Sequence, residues 1–194
     1  VLPRSLSRGL AVAVAVVNFI FSLHLLAHWQ MGATALQFEY SVPWLPQFGI
    51  SYHLGIDGIA LPLILLTTFL TPLALLGTWS QIEERVKEFG VVVLLLQSAL
   101  VGVFAARDLI LFYIFWEAVL IPMYLIIGVW GGAGRARAAV KFFLYTMAGS
   151  VLMWVAMLYG YFMQPAATRS FDYDAFAAAM RALDADGAAL LFGA

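Results

Sequence analysis

Apolar residues run along this chain in stretches too long for the core of a water-soluble domain. Five stretches reach the roughly 17–25 residues that a helix needs to cross a bilayer: about residues 10–27, 56–79, 90–106, 109–130 and 138–162. The pattern predicts an all-α, polytopic transmembrane helix bundle, a single membrane domain over residues 1–194. Near the end the period changes. In "SFDYDAFAAAMRALD" (170–184), Tyr173, Phe176, Met180 and Leu183 fall at spacings of three and four. That spacing predicts an amphipathic helix outside the spans, lying on the membrane surface or packed on neighbouring protein.

Basic residues orient the bundle. With the start of the first span on the inside, the inner segments hold Arg4, Arg8, Arg85, Lys87, Arg135, Arg137 and Lys141. The outer segments hold only Arg107, Arg169 and Arg181, as the positive-inside rule requires. Trp29, Trp44, Trp79 and Trp130 fall at span ends, where an aromatic belt belongs. The connections differ in kind. Residues 28–55 form a long outer loop with Pro43, Pro46 and alternating apolar positions, which suits short extended pieces. "QIEERVKE" (81–88) is a charged inner turn and "GGAG" (131–134) a flexible inner link. Arg107-Asp108 is an abrupt outer turn in which Asp108 can cap the following helix. The Arg4/Arg8 start resembles a signal peptide, but further spans follow it rather than a cleavage site. The closing "AALLFGA" reads as the opening of another apolar helix, so a longer chain is expected.

Composition agrees and removes whole classes of chemistry. The 194 residues are 64% hydrophobic and 11% charged, with a mean hydropathy of +0.95. The net charge of −1 gives no electrostatic basis for binding nucleic acid. The chain has no cysteine, hence no disulfide, cysteine-ligated iron–sulfur cluster or cysteine zinc site. Its histidines, His24, His28 and His53, lack metal-ligand spacing. His24 and His28 can share a helix face, but they lie where the first span meets water and read as interfacial polar residues. No metal or cofactor site is expected.

One residue breaks the apolar pattern. Glu117 lies eight residues from one end of the fourth stretch and thirteen from the other. At about 1.5 Å per residue that is well inside the hydrocarbon. A central acidic side chain costs on the order of 2.5–3.5 kcal/mol to insert, so Glu117 is expected to face other helices or water. Tyr113, Tyr124 and Gly128 fall on roughly its side of the helix and make a polar stripe. Pro122 leaves the Ala118 carbonyl without its helical donor, and Pro72 does the same for the Thr68 carbonyl, where a packing kink is the simpler account.

Two roles fit Glu117. It can be a permanently paired or protonated residue that only holds helices together. Alternatively it can carry protons. Low-dielectric surroundings penalise an ionised carboxylate, and a cation approaching to about 4 Å restores roughly 4 kcal/mol at an effective dielectric of about 20. Lifting a proton against about 150–200 mV costs a similar 3.5–4.6 kcal/mol. A movable charge pair therefore has the right size for a pumping step. Lys141 is the only basic residue close to a span, either as an inner anchor reaching the headgroups or as a relay from the inside. No residue is an obvious central partner for Glu117, so that partner is expected beyond Ala194 or on another subunit. Thr146, Gly149 and Ser150 in the fifth stretch and Gln97 in the third suit close helix packing, with water-path lining as the lesser alternative.

"FWEAVLIPMY" (115–124) resembles the glutamate-bearing helix of the antiporter-like membrane subunits of respiratory complex I. "PWLPQFGISYHLGIDG" (43–58) resembles the outer loop and helix start of the chain M or subunit 4 branch of that family, and "AAVKFFLYT" (138–146) its next helix. The resemblance runs over most of residues 3–190. It implies a proton-translocating subunit of an NADH:quinone oxidoreductase in a bacterial cytoplasmic membrane, the inner membrane of the cell. NADH, quinone, flavin and iron–sulfur clusters would bind other subunits, leaving no cofactor and no redox chemistry in this chain. Its partners would be the other membrane-arm subunits and the lipid bilayer, with protons as its only small-molecule substrate. Glu117 matches the family's key helix glutamate and Lys141 a lysine early in the following helix. The family's central lysines, its second half-channel and its usual first helix lie outside this sequence, which would be less than half of such a subunit. The first span here would then be the family's second, and the inverted repeat of the complete protein has only one half present. The nearest alternatives are a homologous subunit of a multisubunit cation/proton antiporter or membrane-bound hydrogenase, and a non-conducting scaffold subunit.

Overall fold

The computed structural model describes residues 3–32, 35–166 and 168–181. Five helices are long and apolar enough to cross a membrane: α1 (Arg4–Ala27), α2 (Ala60–Gly77), α3 (Val86–Ala105), α4 (Leu109–Trp130) and α5 (Arg135–Met163). A short α6 (Tyr173–Arg181) follows. Residues 182–184, which the periodicity includes in this helix, lie outside the described residues. The α4 bounds are those the apolar run predicts. Helices α1, α3 and α5 begin three to six residues earlier, because polar first turns such as Arg4–Ser7 lengthen a helix without lengthening its apolar run.

The helices run up and down, each packed on its sequence neighbours, with α1 also touching α3. Lipid tails are as apolar as leucine, so close backbone approach has to supply much of the association. Small residues provide it. Ala15 is fully buried, a Cβ on Gly90 would press on Ala11, and the Phe115 ring occupies the space beside Gly102. Polar side chains inside the bundle bond locally or to one another. The Ser22 and Thr68 hydroxyls meet at 2.7 Å between α1 and α2, and Thr68 Oγ1 is also 3.0 Å from the Ile64 carbonyl. At the inner end, the Arg8 guanidinium donates to the Ile82 carbonyl and Trp130 Nε1 donates to the Glu84 carbonyl at 3.0 Å.

The outer loop is more ordered than its composition suggests. β1 (Gln37–Leu45) and β2 (Ile50–Ile56) form an antiparallel hairpin closed by a 3-10 turn over Pro46–Phe48. Pro43 is tolerated because β1 is an edge strand interrupted by irregularities on both sides of it. Ile56 therefore ends a strand rather than opening α2, which starts at Ala60. The hairpin is tied to the α3–α4 turn, where the Arg107 backbone N–H donates to the His53 carbonyl at 2.9 Å. On its other side the turn meets the segment after α5: Leu109 N–H donates to Phe171 O, and Tyr173 N–H to Arg107 O, each at 2.8 Å.

Asp108 is the centre of this outer cap. It is fully buried. One carboxylate oxygen accepts the Ile110 and Leu111 amides at 2.9 and 3.2 Å, making the helix cap that the sequence predicts. The other accepts the Ser51 amide at 2.9 Å and the Ser51 hydroxyl at 3.3 Å. A single side chain thus starts α4 and fastens the hairpin to it. Helix α6 packs on its own chain, with the Phe176 ring lying where a Cβ on Gly160 would stand.

Candidate functional site

Helices α4 and α5 meet in an antiparallel register that three pairs define. Gly128 lies opposite Ala139, Tyr124 packs edge-on against Phe143, and Tyr113 stacks on Trp154 with ring centroids 4.9 Å apart. The same register sets Glu117 level with Ser150. The polar stripe of α4 that the spacing of Tyr113, Glu117, Tyr124 and Gly128 predicts therefore faces α5. Tyr113 is close to both Glu117 and Ser150. Ser150 is itself buried, its hydroxyl turned to the Met147 carbonyl at 3.1 Å.

Glu117 Oε1 is buried and has no hydrogen-bond partner among the described residues. No cation among them forms an ion pair with Glu117. An orphaned acceptor of this kind requires water, a proton or a partner from elsewhere. α4 continues unbroken through Pro122, so the Ala118 carbonyl loses its donor one residue beyond the carboxylate without ending the helix. Thr146, by contrast, is internally satisfied, donating to the Phe142 carbonyl at 2.8 Å. Gln97 provides a second orphaned acceptor: Oε1 is buried and unpartnered. It sits two turns along α3 from Gly90, the residue that approaches Ala11 of α1.

Lys141 is not brought to Glu117. It is exposed on the second turn of α5, nine residues from Ser150, or about 13 Å along the helix at the usual rise. Beyond it α5 presents a bare apolar face that includes Leu144, Tyr145, Leu152 and Val155. Of the two predicted site residues, then, one is a mid-span acid facing a neighbouring helix and the other an exposed base near the inner end. His24 and His28 lie against each other at the outer end of α1, with centroids 4.0 Å apart and ring planes tilted by 43°. His53 is different: it is buried between two carboxylates, which its position in a presumed loop did not reveal. No local signal marked it: alternation along β2 puts His53 on the side of Ser51 and Gly55, opposite the apolar Ile50, Tyr52, Leu54 and Ile56.

Five spans, an outer hairpin and a lone glutamate on the fourth span define a class of membrane subunit. A family model for the amino terminus of NADH-ubiquinone oxidoreductase chain 4 matches residues 8–103, and one for the NADH:quinone oxidoreductase/Mrp antiporter transmembrane region matches residues 106–183. The chain belongs to this family of antiporter-like membrane subunits. Within it, the similarity is to the subunit M or chain 4 type. The chain is 48% identical to NADH-quinone oxidoreductase subunit M of Rhodobacter capsulatus over 157 residues, covering 81% of this chain and 30% of that protein. Respiratory complex I from Thermus thermophilus contains a chain that superposes with a TM-score of 0.81 at 31% identity, over 98% of this chain and 38% of that one. The Mrp complex of Dietzia sp. DQ12-45-1b gives a TM-score of 0.80 at 17% identity, over 97% of this chain and 20% of that one, which is a likeness of fold. The chain thus spans about a third of the length of the respiratory-complex relatives it matches.

Proposed function

We propose that this chain is part of the subunit M type proton-translocating membrane subunit of an NADH:quinone oxidoreductase, with Glu117 as a proton carrier. The orphaned, buried Glu117 oxygen carries the reading. A carboxylate meant only to join helices would be expected to find a donor on α5, whereas this one is left open beside Tyr113 and Ser150. A cation approaching it favours the ionised form and releases the proton; its retreat favours proton uptake. That cation would come from outside the described residues, against the uncovered face of α5 or from another subunit. Lys141, exposed near the inner end, would pass protons from the inside toward the span.

Electron transfer would occur elsewhere in the complex. NADH, flavin, iron–sulfur clusters and quinone would bind other subunits, and this chain would perform no redox chemistry. Its partners would be the neighbouring membrane-arm subunits and the bilayer of a bacterial cytoplasmic membrane. The higher identity to the complex I chain than to the Mrp chain, 31% against 17%, favours this reading over a cation/proton antiporter.

The test is Glu117→Gln in the assembled complex, reconstituted in liposomes. Gln keeps the shape and loses the exchangeable charge. The expected result is normal assembly with proton pumping lost. Pumping at the full wild-type stoichiometry would refute the carrier role and leave a helix-packing role.

A further inference from the structure

Two grooves at opposite ends of the bundle differ in whether their cation is free. The outer groove, about 450 Å³, lies beside Arg107, whose guanidinium already meets Asp57 at 3.6 Å and Asp174 at 3.1 Å. The inner groove, about 510 Å³, runs between the first two turns of α3 and the last two of α4. Arg85 and Lys87 stand at its mouth, and Val91, Val92, Leu125 and Val129 line it further in. Lys87 is exposed and forms no ion pair among the described residues. Arg85 meets Glu88 only at 3.8 Å, with both side chains more than half exposed. Two cations against one acid leave the groove with a net positive charge.

We propose that the inner groove binds one anionic phospholipid of the inner leaflet, with its phosphodiester on Lys87 and Arg85 and the upper part of one acyl chain along Val91 and Leu125. The polarity of the groove is that of the lipid. Lys87 and Val91 are four residues apart, and Trp130 and Leu125 five, which is about 6–8 Å along the helices. Over that distance the lining changes from charged to aliphatic, as a phospholipid changes from phosphate to methylene. Trp130 marks the headgroup level, and its Nε1 is tied to the Glu84 carbonyl at 3.0 Å, which fixes that wall of the groove. Val91 is 57% exposed, so the aliphatic floor is open to an acyl chain.

The neighbouring charges direct the anion to Lys87. A smaller polar pocket shares Arg85, Val129 and Trp130 with the groove and adds Arg135, Glu83 and Glu84. Its two cations face two acids, so it offers an anion no net attraction. Basic pockets between helices on the inner side of a membrane suit anionic headgroups, because the charge adds to the lipid's own preference for the groove's depth. An ammonium such as that of Lys87 binds a phosphate oxygen as a point charge and needs no fixed fork geometry. The inference does not depend on Glu117 carrying protons.

Photoactivatable lipids test it on the intact complex, reconstituted in phosphatidylcholine liposomes. Two probes carry the same diazirine-tagged acyl chain, one on phosphatidylglycerol and one on phosphatidylcholine, and labelled peptides are mapped by mass spectrometry. In the wild type, the peptides that hold Val91 and Leu125 should take up the phosphatidylglycerol probe several-fold more than the phosphatidylcholine probe. Lys87→Gln should lower the phosphatidylglycerol signal about fivefold, the effect of one basic residue near an anionic surface, and leave the phosphatidylcholine signal unchanged. The side chain is exposed, so folding is not at stake. Val91→Trp fills the floor with the charges intact and should lower both signals. Equal labelling by the two probes would mean bulk lipid only, and no labelling by either would mean a groove covered by another subunit. Either result, or a full phosphatidylglycerol signal in Lys87→Gln, would overturn the proposal.

Discussion

One helix removes two carboxylates from water and treats them in opposite ways. Asp108, at the start of α4, is wholly enclosed and accepts from four donors. Glu117, nine residues on, keeps one oxygen enclosed with no donor among the described residues. Both enclose carboxylate oxygen, so enclosure alone does not mark a functional acid. What differs is completeness. A saturated carboxylate is fixed in charge and geometry, because changing either breaks several bonds at once. An unsaturated one is open to water, a proton or a cation from elsewhere.

Substitution should separate the two. Asp108→Ala strips the α4 cap and the Ser51 anchor together and should destabilise the subunit by about 2–5 kcal/mol, seen as poor assembly or a lowered melting temperature of the complex. Glu117→Met should do the reverse: replacing an unpartnered buried acid with an apolar side chain of similar length should leave thermal stability unchanged or raise it by about 1 kcal/mol, while pumping is lost. A large fall in melting temperature would show that Glu117 has a hidden partner and would erase the contrast. Lys141→Ala should keep assembly intact and slow proton uptake from the inside by a few-fold, read as a shift in the pH dependence of pumping. An unchanged profile would leave Lys141 a headgroup anchor. The smallest effect belongs to Arg85→Ala. Its 3.8 Å pair with Glu88 is more than half exposed on both sides, and its loss should change stability by less than about 0.5 kcal/mol.

The spans were readable because bilayer thickness imposes a length on apolar runs, and α4 was bounded to the residue by Asp108 and Gly131. The stripe that Glu117 shares with Tyr113, Tyr124 and Gly128 was readable; that this face meets α5 came only from the packing. The outer cap was not readable. His53 read as part of a loop, Asp108 only as the cap of α4 and Asp172 as part of the outer amphipathic helix, and only the packing of α3, α4 and α5 brings them together. His53 and Asp172 are 119 positions apart, beyond any local pattern. The hairpin was half visible: its alternation showed, but Pro43 and Pro46 obscured a strand that tolerates proline because its edge is free. Among the described residues Glu117 Oε1 has no hydrogen-bond partner, so no local pattern could point to one.

The bond between Ser170 Oγ and the Gly49 carbonyl spans 121 positions. A ribosome adding roughly 5–20 residues per second takes about 6–24 s to cover that interval. Until then the hairpin is held by the α3–α4 turn alone, through Asp108 and the Arg107 amide, and the segment after α5 supplies its second anchor last.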